Sequence, residues 1–354
     1  MNGERAVLMV VPEGIGDPLR PSGGNTYDRR LSEALAAAGW SVQTREVTGD
    51  WPRAAGESRA ALSGALDDTP DGSVVLVDGL VASACPEALV PASRRLSTVV
   101  LMHMPVGVRS DGTDREREAA TVRASAAVVT PSEWTRRWLL GAYGLDPARV
   151  HVAHPGVDAA ATAGGSAAGG NLISVGAVTP GKGHDLLVRA LAGLRDLPWR
   201  CVCVGPLTRS PDFVATLLGD IRAAGLDDRL RLVGPLTGRD LDDAYAAADL
   251  LVHASRAETY GMVVTEALAR GLPVVAYDVG GVSEALGRGA DGKPPGLLAP
   301  AGDVEALAEA VRAWLGDPAL RRRLRAAAAE RRTGLTGWPE TADRVARVLE
   351  GVAA

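Results

Sequence analysis

The chain has 354 residues, 46% of them hydrophobic and 23% charged. At about 150 residues per domain that is length for two domains whose cores need no disulfide or metal staple. Its 38 Lys and Arg are outnumbered by 43 Asp and Glu, a net charge of −5, so no basic field points to nucleic acid or an acidic lipid surface. The first apolar run, residues 6–11, is too short for a secretory core, and no run reaches the ~18 residues needed to cross a bilayer. The expectation is a soluble, cytoplasmic chain. Cys85, Cys201 and Cys203 make no CxxC pair and no disulfide framework. Cys201 and Cys203, two apart, read as small core residues on one face of a strand.

Short apolar runs then alternate with helical stretches. Strands are predicted at 6–11, 41–47, 73–77, 98–102, 126–130 and 150–153, with helices such as 27–38 and 132–140 between them. The alternation resumes with strands at 172–175, 201–204, 230–233, 250–253 and 274–277. Runs of four to seven apolar residues without strict polar alternation fit parallel strands covered on both faces, and so two doubly wound α/β domains. Thr130-Pro131-Ser132-Glu133 reads as a capping box with proline at the first helical position. Asp240 and Asp303 read as helix caps. The Ala/Gly/Ser/Thr segment 158–170 reads as a linker, which divides the chain into residues 1–160 and 161–337. The end is helical from 303 to about 352, with breaks near Gly316 and Gly334, and the Ala-rich helix 321–332 needs no role beyond good propensity.

Three strand-to-helix junctions carry the candidate chemistry. Gly23-Gly24 lets the backbone approach an anion in front of a helix start; it is neither GxGxxG nor a Walker loop. In Val175-Gly176-Ala177-Val178-Thr179-Pro180-Gly181-Lys182-Gly183, the glycines open the turn and Lys182 offers a cation to a phosphate. In the third, Glu258 lies in a loop and a helix starts near Gly261. Its unpaired amides, from Tyr260 through Gly261 and Met262 to Val263, suit a diphosphate. Glu266 follows one to two turns on, roughly 10 Å away at 1.5 Å per residue, so that the two carboxylates could each hold sugar hydroxyls. Gly280-Gly281-Val282-Ser283-Glu284 adds a glycine-rich turn on the same edge. An Asp240-Leu241-Asp242 pattern at a helix start reads as capping and dipole complementarity, not as a metal motif.

These motifs in this order resemble the retaining, nucleotide-sugar-dependent glycosyltransferases of family 4. The densest part runs from 172 to 300 and centres on Glu-x7-Glu at Glu258 and Glu266. The resemblance implies the GT-B fold: two Rossmann-like domains facing across a cleft, with the last helix, about 338–354, crossing back to the N-terminal domain. It implies transfer of a sugar from a nucleoside diphosphate, UDP by default, to an acceptor hydroxyl with retention, without metal or cofactor. Glu258 would hold donor-sugar hydroxyls and Glu266 the ribose. Tyr260, Gly261 and Met262 would offer backbone donors. Lys182 would neutralise the leaving diphosphate, Gly23 and Gly24 would close on it, and His103 would lie near the donor sugar. The family commonly has an Arg where this chain has Ala177; no nearby position obviously replaces it, although Arg209 or Arg256 could reach in. That departure motivates the alternative of a non-catalytic nucleotide-sugar-binding subunit, with a sugar-nucleotide epimerase of the same fold as another. The acceptor would meet loops at 50–56, 79–86 and 104–114. The sequence leaves its identity and the oligomeric state open, and gives no support for membrane association.

Overall fold

The computed structural model describes residues 5–18, 21–49, 51–52, 56–108, 110, 112–289 and 292–353. It divides into two compact units. One comprises Met1–Asp17, Gly23–Gly156 and Thr336–Ala354, and the other Pro18–Ser22 and Val157–Leu335.

The first unit runs β1 (Ala6–Pro12), α1 (Gly23–Ala37), β2 (Ser41–Val47), α2 (Gly56–Asp67), β3 (Val74–Asp78), α3 (Gly79–Ala84), α4 (Pro86–Ala92), β4 (Ser97–Leu101), α5 (Thr113–Ala124), β5 (Ala127–Thr130), α6 (Glu133–Tyr143) and β6 (Val150–Val152). Its six strands pair in parallel in the order β2-β1-β3-β4-β5-β6. The chain leaves β1 toward β2 and returns to the other side of β1 as β3. The C-terminal ends of β1 and β3 therefore flank the point where strand order reverses, the usual ligand position in an open α/β sheet. Central β3 (Val-Val-Leu-Val-Asp) is buried throughout, while edge β2, with Gln43, Thr44, Arg45 and Glu46, stays largely accessible. A parallel sheet covered on both faces demands that contrast.

The second unit runs β7 (Asn171–Val175), α7 (His184–Ala192), β8 (Arg200–Val204), α8 (Pro211–Ala223), β9 (Leu230–Gly234), α9 (Gly238–Ala246), β10 (Leu250–His253), α10 (Met262–Ala269), β11 (Val274–Tyr277), α11 (Val282–Leu286), β12 (Gly296–Ala299), α12 (Val304–Gly316) and α13 (Pro318–Thr333). The sheet order is β12-β11-β10-β7-β8-β9, again all parallel. Here the reversal falls between β7 and β10. Cys201 and Cys203 are both buried on β8, as their spacing predicts. The final helix, α14 (Trp338–Ala353), belongs to the first unit and packs on α1. Trp338 meets the Tyr27 ring edge-on at 5.6 Å.

Several local readings change. Gly23 and Gly24 lie in the first turn of α1 rather than in a loop before it. Ser132, not Thr130, caps α6: its Oγ accepts from the Thr135 N–H at 3.0 Å, and Pro131 precedes the cap, outside the helix. Thr237 stands at the N-cap of α9, leaving Asp240 in the first turn. Asp303 caps α12 as expected. Residues 79–84 form α3, because the Asp78 carboxylate accepts from the Leu80 and Val81 N–H groups at 2.7 and 3.3 Å. Of the other segments proposed to meet an acceptor, residues 50, 53–55, 109 and 111 lie outside the described residues, and Val106–Val108 is a 3-10 turn.

The segment 158–170, read as a linker, begins just past the boundary between the two units and is anchored along its length. Ser166 Oγ donates to Asp249 at 2.7 Å, the Asn171 N–H reaches the same carboxylate at 2.9 Å, and Arg325 adds an ion pair at 2.9 Å. Arg332 donates to the Ala160 carbonyl at 2.6 Å. Its small residues leave most of the anchoring to partners elsewhere in the chain. Its backbone is instead pinned by Asp249, 1% exposed, and by arginines of α13.

Candidate active site

In the first unit, the candidate side chains converge where strand order reverses. His103 lies two residues past the end of β4. Helix α1 presents Gly24, Tyr27 and Asp28 to it, positions i, i+3 and i+4 on one helical face. A Cβ on Gly24 would stand 3.2 Å from His103 Cδ2, so a side chain there would press on the imidazole. The Tyr27 ring lies 5.1 Å from it, tilted by 59°. Tyr27 is itself fixed, its hydroxyl donating to the Ala153 carbonyl at 2.8 Å. Asp28, 1% exposed, bonds to His103 Nε2 at 2.7 Å, and Asp78 Oδ2 is 3.5 Å from the same nitrogen. Burial alone would lower the His103 pKa; the charges of Asp28 and Asp78 outweigh it and raise it. Burial and the neighbouring Asp28 push Asp78 up to about 7, against the pull of His103 and the α3 amides.

In the second unit, Gly176 sits just past β7 with Lys182 folded over it, its methylenes 3.6 Å from where a Cβ would stand. Pro180–Lys182 forms a 3-10 turn that ends at left-handed Gly183. A Cβ on Gly183 would lie 1.9 Å from the Ala254 carbonyl oxygen, so only glycine lets the β7 turn pack on the chain leaving β10. That packing brings Lys182 to Glu258: Nζ stands 2.6 Å from Oε1. His253, the last residue of β10, is 2.9 Å from the same oxygen. Burial opposes ionisation of Glu258, but the Lys182 charge and the His253 hydrogen bond overcome it and hold the carboxyl well below its usual range.

The Gly280-Gly281 turn explains how Glu258 keeps its place. A Cβ on Gly280 would fall 1.6 Å from the Glu258 carbonyl oxygen, and one on Gly281 2.3 Å from that of Thr259. The Gly281 N–H donates to the Glu258 carbonyl at 3.2 Å. Gly261, at φ +96°, then turns the chain into α10. Met262 and Val263 open that helix, where N–H groups have no intrahelical partner. Glu266 is half-buried on α10, its Oε2 accepting from the Tyr245 hydroxyl at 3.0 Å. Arg270 lies over the Tyr245 ring, 4.4 Å from its centroid. Burial raises the Glu266 pKa, with Tyr245 and Arg270 pulling the other way.

Glu258 and Lys182 thus meet directly, and Glu266 is held separately. The Ala177 position gains no obvious second cation. Arg256 is spent on Asp185, at 2.7 and 2.5 Å, and on the Pro180 carbonyl, while Arg209 is exposed and donates to the Pro21 carbonyl at 3.3 Å. Asp242 of the Asp240-Leu241-Asp242 pattern pairs with Arg270. Sequence reasoning missed Asp28, Asp78, His253 and Tyr245. Asp28 was legible only as the i+4 neighbour of Gly24; His253 and Asp78, as polar residues ending apolar strands, were the visible signal for the others.

Two parallel sheets, each gathering ionisable side chains at its reversal point, define a two-domain α/β protein, and the ammonium, carboxylates and helix-start amides of the second suit a phosphorylated sugar ligand. Known proteins narrow this. The family model "Glycosyl transferases group 1" matches residues 169–331 and "Glycosyltransferase Family 4" matches residues 79–161. The D-inositol 3-phosphate glycosyltransferase of Kineococcus radiotolerans is 39% identical over 257 residues, 65% of this chain and 58% of the relative. The enzyme named D-inositol 3-phosphate glycosyltransferase 1 of Catenulispora acidiphila is 36% identical over 252 residues, again 65% and 58%. The matched part thus spans under two thirds of these curated relatives. Among solved structures, sucrose-phosphate synthase of Thermosynechococcus elongatus is similar at a TM-score of 0.80 and 21% identity, over 98% of both chains. HepE of Anabaena, in complex with UDP and glucose, is similar at 0.78 and 19%, over 98% of this chain and 100% of HepE. The chain belongs to the family 4 glycosyltransferases, and its fold is GT-B.

Proposed function

We propose that the protein moves a hexose-type sugar from a nucleoside diphosphate, UDP by preference, to an acceptor hydroxyl with retention of anomeric configuration. The observation that carries this reading is the Lys182–Glu258–His253 constellation beside the start of α10. Lys182 counters charge growing on the leaving diphosphate, helped by the first-turn amides of Gly261, Met262 and Val263. Glu258, kept ionised, accepts hydrogen bonds from sugar hydroxyls, and Glu266 from the ribose. In the step itself the C1–O bond to the phosphate breaks as the bond from C1 to the acceptor oxygen forms on the same face. The acceptor proton passes to the departing phosphate oxygen, so no carboxylate nucleophile is needed.

UDP is favoured because HepE, a relative in fold, is described with UDP-glucose. The names of the sequence relatives point to a small polyol or its phosphate as acceptor class. We assign charge neutralisation to Lys182 rather than to a divalent ion, in keeping with Asp242 being paired on α9. Three free buried thiols, two of them neighbours on β8, fit a reducing, cytoplasmic setting.

A thermal-shift series with UDP, GDP, ADP and TDP tests the donor: UDP should raise the melting temperature most. Turnover of UDP-glucose should survive EDTA. In the Lys182→Met variant it should fall by about 10²- to 10³-fold at saturating donor, the usual loss when one stabiliser of developing charge is removed. A variant that binds UDP but turns over at the parental rate would remove Lys182 from the mechanism. Formation of an epimerised sugar in the absence of acceptor would favour the epimerase.

A further inference from the structure

We propose that Arg256 is a positioning residue for Lys182: its guanidinium clamps the turn that carries the lysine and so fixes where the ammonium stands. The consequence for turnover rests on the role given to Lys182 above. The clamp itself is built from residues of the second unit alone.

One planar group holds the turn at both ends. Arg256 Nη1 donates to the Pro180 carbonyl at 2.6 Å, two residues before Lys182. Its two terminal nitrogens also grip both carboxylate oxygens of Asp185, three residues after Lys182, at 2.7 and 2.5 Å. Paired charge-assisted bonds of this kind fix orientation as well as distance, which a point charge does not. The backbone adds to the grip. The Arg256 N–H donates to the Gly181 carbonyl at 2.9 Å, and the buried Ser255 hydroxyl lies 3.1 Å from the same oxygen. The 3-10 turn Pro180–Lys182 has no side-chain cap of its own among the described residues, so its shape depends on these contacts. Glu258 follows Arg256 by two residues on the same stretch of chain. Clamp and carboxylate therefore share one short backbone, and the turn's seating on it sets the 2.6 Å approach of Lys182 Nζ to Glu258 Oε1. The Arg256 and Asp185 side chains are 40% and 26% exposed, and a pair so open adds little to stability. Its effect falls on the geometry of the turn.

Lys182 and Lys293 are the only lysines in the chain. Spectra of the full chain labelled with ¹⁵N-lysine thus hold two side-chain ammonium signals, and Lys182→Met assigns them. Arg256→Ala and Asp185→Asn should both shift the Lys182 signal and leave that of Lys293 in place. In both, kcat for UDP-glucose should fall by about ten- to a hundredfold, with KM changed less, the cost of misplacing a group by about 1 Å. The double variant should lose no more than either single one, because both remove the same clamp. Arg256→Lys, which keeps the charge without the fork, should not restore the rate. Were Arg256 a second cation for the diphosphate, Asp185→Asn would free it and kcat would hold or rise, while Arg256→Lys would stay active. Either result overturns the proposal, as does an unmoved Lys182 signal in Asp185→Asn of parental urea midpoint. The spectra read the ammonium whether or not the protein turns over UDP-glucose, so the clamp and the proposed activity fail separately.

Discussion

Lys182 and His184 stand two residues apart and meet opposite fates. Lys182 reaches a carboxylate; His184 is 2% exposed and neither ring nitrogen has a partner among the described residues. Burial, with His253 and Lys182 nearby, pushes the His184 pKa down to about 4. The folded state therefore refuses a proton that the unfolded state takes up near pH 6.5, so stability falls as pH drops between those values. At pH 5 this one group should cost about 2 kcal/mol relative to pH 7.5. Urea denaturation at the two pH values should show that loss in the wild type and a smaller one in His184→Leu. An equal loss in both would place the acid sensitivity elsewhere. Glu258 adds to the same trend, since a depressed carboxylate stabilises the fold at neutral pH and stops doing so on acidification.

Among elements, the turn after β11 and the segment before β7 matter most, because each is fixed by one close approach. Gly280→Ala puts a methyl group into the Glu258 carbonyl and asks for φ +56°, which L-residues rarely adopt. It should destabilise the protein by about 2–4 kcal/mol and weaken UDP binding more than tenfold, read by calorimetry, by shifting the loop that carries Glu258. Wild-type affinity in a destabilised variant would separate the turn from the site. Asp249 holds Ser166, Asn171 and Arg325 at once. Asp249→Ala strands those donors and should cost about 3 kcal/mol in the same denaturation assay. α13 thereby acquires a structural task that its composition conceals: Arg321, Arg325, Arg331 and Arg332 are ties, while Arg322 and Arg323 form its solvated face.

At the scale of the molecule, the chain builds most of one unit, completes the other, and returns to the first with α14. Trp338, 6% exposed, packs against Tyr27, the residue that backs His103. Trp338→Ala should cost about 3–5 kcal/mol. In scanning calorimetry the loss should fall on the transition that UDP does not raise, because the groups proposed to hold UDP lie in the other unit. A uniform shift of both transitions would mean that the units unfold together. None of the helices in the described residues is long and apolar enough to cross a membrane.

How far the sequence reached follows from the range of the forces involved. Eleven of the twelve strands among the described residues were legible because burial of both sheet faces forces continuous apolar runs. β12, Gly-Leu-Leu-Ala, escaped as too short and glycine-led. Lys182 and Glu258 were legible because glycine spacing and charge at a strand end are local signals. Other features were not local. The cap of α6 turned on which of two hydroxyls the backbone aimed at the helix. The anchors of the segment 158–170 lie about 80 and 160 residues away and leave no mark in its own composition. The Lys182–Glu258 and Asp28–His103 pairs join residues 76 and 75 positions apart. Periodicity and composition by themselves determined two parallel α/β sheets and the strand-to-helix junctions that carry the candidate site. Only the tertiary structure decided which charges meet there, because an ion pair depends on distances of a few ångströms that the chain fixes only when both strands are in register.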